Sequence, residues 1–129
     1  MERGFLAERK LERALHEVGL SVRHGDEVED HLRGIDLVIE KPRLCGVQLT
    51  LNDAWAHKLL KAKAGAAALN LPLIFVRLRR LGSIQKAAQV LANLCRFVER
   101  GEIGLVVEVG GGRILASKVE EDKILPSML

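Results

Sequence analysis

Apolar positions recur every three or four residues over the first turns of the chain, at Gly4, Ala7, Leu11, Ala14, Leu15 and Val18, with Arg9, Lys10, Arg13 and Glu17 between them. That spacing predicts an amphipathic helix, which Gly19 ends. The pattern then changes period. Leu20 and Val22 alternate with Ser21 and Arg23, as in a short edge strand, and a polar loop covers 25–33. Residues 35–40 and 45–51 are rich in β-branched side chains and are separated by Lys41-Pro42-Arg43, so they read as a hairpin.

Helical spacing returns at Trp55, Leu59, Ala62, Ala66 and Leu69, after Asn52 or Asp53 as a cap, and should stop near Asn70, ahead of Pro72. Residues 73–76 are continuously apolar, as in a strand covered on both faces, with Arg77, Arg79 and Arg80 as a basic exit. Ser83 is the expected cap of a second helical stripe made by Ile84, Ala87, Ala88, Leu91, Leu94, Cys95 and Val98. Residues 103–109 and 113–118 flank Gly110-Gly111-Gly112 and read as another hairpin, with a tail from Val119. The order αβββαβαββ predicts an α/β fold with a mixed sheet flanked by helices.

Composition narrows the picture. A chain of 129 residues with 48% hydrophobic content is expected to fold as one domain over 1–129. No run approaches the roughly 18 apolar residues of a membrane span, and Glu2, Arg3, Glu8 and Arg9 do not suit a signal peptide. The expectation is therefore a cytoplasmic protein with no membrane partner. Cys45 and Cys95 have no C-x-x-C spacing and read as buried thiols, and His16, His24, His31 and His57 lack zinc-ligand spacing. A net charge of +3 is compatible with nucleic acid, whereas 3% aromatic content without tyrosine argues against a stacking platform for single strands.

Candidate chemistry centres on the 35–51 hairpin. Neighbouring antiparallel strands lie about 5 Å apart and alternate positions share a face, so Asp36, Gln48 and Thr50 can face a common site. Paired carboxylates in such a place hold Mg²⁺, which activates a nucleophile and stabilises charge on a phosphodiester. Here one expected acid is an amide.

At these residues the chain resembles the PD-(D/E)XK nuclease superfamily, in particular the restriction-endonuclease-like proteins and archaeal-type Holliday junction resolvases. The resemblance covers about residues 4–80. It implies a restriction-endonuclease-like αβββαβ core, to which the 83–118 helix and hairpin are added, a homodimer, and DNA as partner. Glu8 in Ala7-Glu8-Arg9 matches the first-helix glutamate, and Asp36 in Gly34-Ile35-Asp36 matches the motif aspartate. Gln48-Leu49-Thr50 stands where Glu-x-Lys is expected. The resemblance implies catalytic roles for Glu8, Asp36 and Gln48. It implies Mg²⁺ ligation by Asp36, the Gln48 amide oxygen and the Leu49 carbonyl, with Lys58 in the role of the absent lysine. Each missing charge-stabilising group removes about 2.7–4 kcal/mol of barrier lowering, so cleavage should be weak or absent.

Plainer roles stand beside these. Glu8 also suits the edge of a solvated helix face, Asp36 a strand-start cap, Thr50 the polar face of a strand, and Lys58 and Lys61 a solvated helix side. Arg77, Arg79 and Lys61, with Arg43, Lys58 and Arg80, could contact phosphates, opposed by Asp26, Glu27, Glu29 and Asp30 nearby. The alternative function is a non-catalytic scaffold or regulatory subunit that uses the fold and the apolar Ile124-Leu125 tail for protein contacts.

Overall fold

In a computed structural model, which describes residues 3–29, 34–51 and 55–119, the chain is an α/β protein. Its order is α1 (Arg3–Glu17), β1 (Ser21–His24), β2 (Leu37–Lys41), β3 (Cys45–Thr50), α2 (Ala56–Leu69), β4 (Leu73–Arg77), α3 (Ile84–Leu94), β5 (Ile103–Glu108) and β6 (Ile114–Val119). The six strands form one mixed sheet in sequential order. β1, β2 and β3 are antiparallel neighbours, β3, β4 and β5 run parallel, and β6 returns antiparallel to β5. Among the described residues no helix is long and apolar enough to cross a membrane.

Strand parity splits the core into two layers. Leu37, Ile39, Val47, Leu49, Ile74, Val76 and Val106 face α1 and α3, where they meet Leu11, Leu15, Ala88 and Leu91. Val38, Phe75, Ile103 and Leu105 face α2, where they meet Leu59, Ala62 and Ala66. β3 and β4 are buried along their whole length, which is why their sequences carry no simple alternation. Crossovers β3–α2–β4 and β4–α3–β5 step the same way across the sheet yet put their helices on opposite faces. One of them is therefore left-handed, against the about 98% right-handed norm.

Helix ends follow local chemistry. Gly19, at φ +93°, closes α1 with Leu20 N–H donating to the Leu15 carbonyl (3.0 Å) and Gly19 N–H to the His16 carbonyl (3.0 Å). Asn70, at φ 53°, closes α2 in the same way. Other boundaries depart from the sequence expectation. Ser83 makes no capping bond to α3, whose hydrogen-bonded helix ends at Leu94 rather than 98, although Cys95 and Val98 stay buried in the turn beyond it. The proposed α2 caps Asn52 and Asp53, with Asp30, His31 and the Ile124-Leu125 tail, lie outside the described residues. At the far end of the sheet Arg43 ties the β2–β3 turn to the end of α3, donating to the Cys95 (3.2 Å) and Arg96 (3.1 Å) carbonyls.

Candidate functional site

β2 parts from β3 at Asp36. The ladder between them ends at the Leu37–Val47 pair, and one step further the Asp36 N–H still donates to the Val47 carbonyl at 2.8 Å. There the Asp36 side chain takes over from the backbone, and its Oδ2 accepts the Leu49 N–H at 2.8 Å. That bond fulfils the plain strand-capping role and holds a half-buried carboxylate at the edge of β3. It also explains why β2 begins at Leu37 rather than at Ile35.

Gln48 and Thr50 project from β3 toward α2, opposite in parity to Val47 and Leu49. Both are buried, at 8% and 3% exposure. Gln48 Oε1 is shut off from solvent and has no hydrogen-bond partner among the described residues. It looks onto Gly34, which holds φ +70°; a Cβ there would lie 3.1 Å from Oε1 and 3.5 Å from Lys61 Cδ. The absent side chain at 34 is what leaves room for the Gln48 amide and the Lys61 stem to meet.

Lys58 lies in the first turn of α2, with Nζ 3.5 Å from Thr50 Oγ1. Its side chain therefore reaches the strand position where the resemblance expects the motif lysine. The N-cap position of α2, Trp55, supplies no side-chain bond and its first turn carries no acid. Trp55 packs on Phe75, with ring centroids 6.0 Å apart, so it anchors the start of α2 by packing.

The remaining predicted residues divide. Glu8 sits beside buried Ala7 on α1, in the layer opposite α2, and can approach Asp36 only around the end of the sheet. Arg77 pairs in register with Thr50 but is 7% exposed, and its guanidinium reaches the Glu108 carbonyl at 3.4 Å. It backs the site from inside, where the sequence pointed to a solvent-facing exit. Arg79 is exposed, like Lys61. Of the opposing acids, Glu29 is occupied by Arg23 at 2.7 Å and exchanges backbone bonds with Asp26.

Glu108, a residue inside the 103–109 strand that the sequence does not single out, organises the exit of β4. It is 1% exposed; Oε1 accepts the N–H groups of Arg79 (2.8 Å) and Arg80 (3.2 Å), and Oε2 accepts Arg80 Nε (3.0 Å). Burial pushes its carboxyl up, and the bonds from Arg79, Ser83 and Arg80 outweigh burial, holding it below the usual range. Ser83 thus spends its hydroxyl on Glu108 rather than on α3.

The described residues do not by themselves make a Mg²⁺ site. Mg²⁺ calls for hard, anionic oxygen ligands, and this end of the sheet offers one carboxylate already bonded to an N–H, a neutral amide, and lysines from α2. Among the described residues no three or more His, Cys, Asp or Glu side chains gather to hold a metal. Comparison of the chain with protein-family models, curated proteins and solved structures found no match.

Proposed function

We propose that the chain is a nuclease-like, DNA-associated protein in which hydrolysis is slow or lost. The observation that carries this reading is Lys58, whose ammonium is delivered from α2 to Thr50, beside Asp36 and Gln48 at the end of β3. A half-buried carboxylate, a buried amide and a lysine lie together toward the end of β3, and Lys61 and Arg79 are exposed for backbone contacts. Asp36 stands at the position where the resemblance places the motif aspartate. Gln48 removes the second charge that a metal-dependent cut requires.

The test is nicking of branched DNA in Mg²⁺ and in Mn²⁺, with a gel shift run in parallel. Wild type should bind the DNA and nick it at about 10⁴-fold or more below a Gln48→Glu, Thr50→Lys double variant, from two missing groups at about 2.7–4 kcal/mol each. Adding Asp36→Ala to the double variant should remove its gain. Rapid nicking by wild type contradicts the loss of catalysis, and absence of DNA binding removes the reading.

A second reading, a non-catalytic scaffold or regulatory subunit, is favoured by exposed aromatic surface at Phe97 (64% exposed) and Phe5 (47%). Its mark is stable association with a protein and none with DNA.

A further inference from the structure

We infer that the cavity at the amino end of β4, at the opposite end of the sheet from Asp36, is a binding site for a small carboxylic acid with a branched apolar chain. The inference stands apart from the nucleic-acid reading above and does not need it.

The cavity measures about 330 Å³, at the small end of the range for ligand pockets. Three neighbouring segments wall it. The β2–β3 turn gives Arg43 and Leu44, the end of α2 and its link to β4 give Leu69, Leu71 and Pro72, and the segment between α3 and β5 gives Arg100. Hydrogen bonds tie these segments to one another. Arg43 donates to the Cys95 and Arg96 carbonyls (3.2 and 3.1 Å), Gly46 N–H to the Pro72 carbonyl (2.9 Å) and Gly101 N–H to the Leu71 carbonyl (3.0 Å). The cavity is therefore a fixed part of the fold.

The same bonds decide the sign of the ligand. The Leu71 and Pro72 carbonyls each accept an N–H already, and among the described residues no carboxylate lines the walls, so a cation finds little to hold it. Two guanidinium groups line them instead. Arg43 is fixed by the carbonyls at the end of α3, and its acid partner Glu99, at 3.2 Å, is 71% exposed, so that pair contributes little and yields to a ligand. The ion pairs at this end of the sheet, Arg43 with Glu99 and Lys118 with Glu102, leave Arg100 out. Guanidinium groups bind a carboxylate through parallel N–H···O bonds, which matches the arginines to an acid.

The rest of the wall decides what the acid carries. Leu44, Leu69, Leu71 and Pro72 present apolar surface, which a wholly polar anion such as phosphate leaves wet and an aliphatic chain covers. The volume suits an acid of about six carbons rather than a long lipid chain.

Isocaproate is titrated into the full chain and followed in two-dimensional ¹H–¹⁵N spectra at constant pH and ionic strength, beside isocaproamide, acetate and a tetrapeptide ending in leucine. The chains compared are wild type, Arg100→Gln, Leu44→Ser and Lys86→Gln. Arg100 and Leu44 are exposed, and Lys86 is exposed in the first half of α3, away from the cavity; melting temperatures establish that each variant is folded. Isocaproate should give saturable shifts at Leu44, Leu71 and Arg100, with a dissociation constant on the order of 1–10 mM for so small a ligand. Replacing the acid by its amide, or Arg100 by glutamine, should weaken binding by about fivefold, as for one solvent-screened charge pair. Acetate in place of isocaproate, or Leu44→Ser, should weaken it by about threefold or more, from lost apolar contact. Lys86→Gln should match wild type. No saturable shift below about 50 mM, or equal affinity for acid and amide or for wild type and Arg100→Gln, overturns the site. Acetate binding as tightly as isocaproate overturns the apolar chain. A tetrapeptide bound about tenfold or more tighter than isocaproate overturns the small acid in favour of a protein C-terminus. DNA binding is read separately by gel shift, so the failure of this site and the failure of the nucleic-acid reading are distinguishable.

Discussion

Glu108 offers the sharpest quantitative prediction, because a buried carboxylate with several donors responds differently to glutamine and to alanine. In Glu108→Ala the N–H groups of Arg79 and Arg80 lose an ionised acceptor at 2.8 and 3.2 Å in a part-buried turn. Hydrogen bonds to charged groups contribute about 1.5–3 kcal/mol each, and water entering the vacated space returns part of that, leaving a loss of about 3 kcal/mol. The ion pair to Arg80 adds little, since Arg80 is 66% exposed. Glu108→Gln keeps one oxygen for the two N–H groups but turns an NH₂ toward the Arg80 guanidinium, a loss of about 1.5 kcal/mol. With an unfolding entropy of about 0.27 kcal/mol/K for this length, the melting temperature should fall by about 11 °C for alanine and about 6 °C for glutamine. Differential scanning calorimetry reads both. Alanine within about 2 °C of wild type, or glutamine as damaging as alanine, would refute the reasoning from the N–H acceptor role.

Acid should act through the same residue. The Glu108 carboxyl, and that of Glu29 hydrogen-bonded to Arg23, are held below 4.5 in the folded protein, so their contribution is present above that pH and is lost as pH falls through the folded values. Urea midpoints should drop below pH 4.5, less steeply in Glu108→Gln; equal slopes contradict this. Gly34→Ala forces a side chain into φ +70° and against Gln48 Oε1, and should destabilise by about 1–2 kcal/mol in urea titration, whereas a neutral effect would mean the Gly34 turn relaxes freely. Cys45 is fully buried, with its thiol pushed up to about 12 by burial, and Cys95 is raised by burial too. Both should resist a thiol reagent in the native protein and react together in denaturant; fast labelling of either contradicts the packing.

Much of this architecture is legible in the residues, and the exceptions share a cause. Period-3.6 patterns locate the helices, β-branched and continuously apolar runs locate the central strands, and Gly19 and Asn70 mark helix ends because both residues accept left-handed backbone. The pattern runs past the true end of α3 because Cys95 and Val98 stay buried in a turn, and burial alone does not distinguish turn from helix. Arg77 reads as an exit, yet its parity with Phe75 turns it inward to the α2 layer. Glu108 gives no sequence signal, since its donors Arg79 and Arg80 belong to a neighbouring strand's exit nearly thirty positions away. At the site, the pairing of Asp36 with β3 follows from hairpin geometry. The reach of Lys58 to Thr50 depends on the N-terminal end of α2 standing over the end of β3, which spacing alone does not fix.

The account's central claim is that nucleic acid docks where β3 ends and α2 begins. Two-dimensional ¹H–¹⁵N spectra of the full chain, recorded as duplex DNA is added, test it most directly. The account predicts amide shifts concentrated at Gln48, Leu49 and Thr50 and along the first turns of α2 through Lys61, with α3 unmoved. Shifts gathered around Phe97 and the α1–α3 surface, or no shifts at saturating DNA, would contradict it.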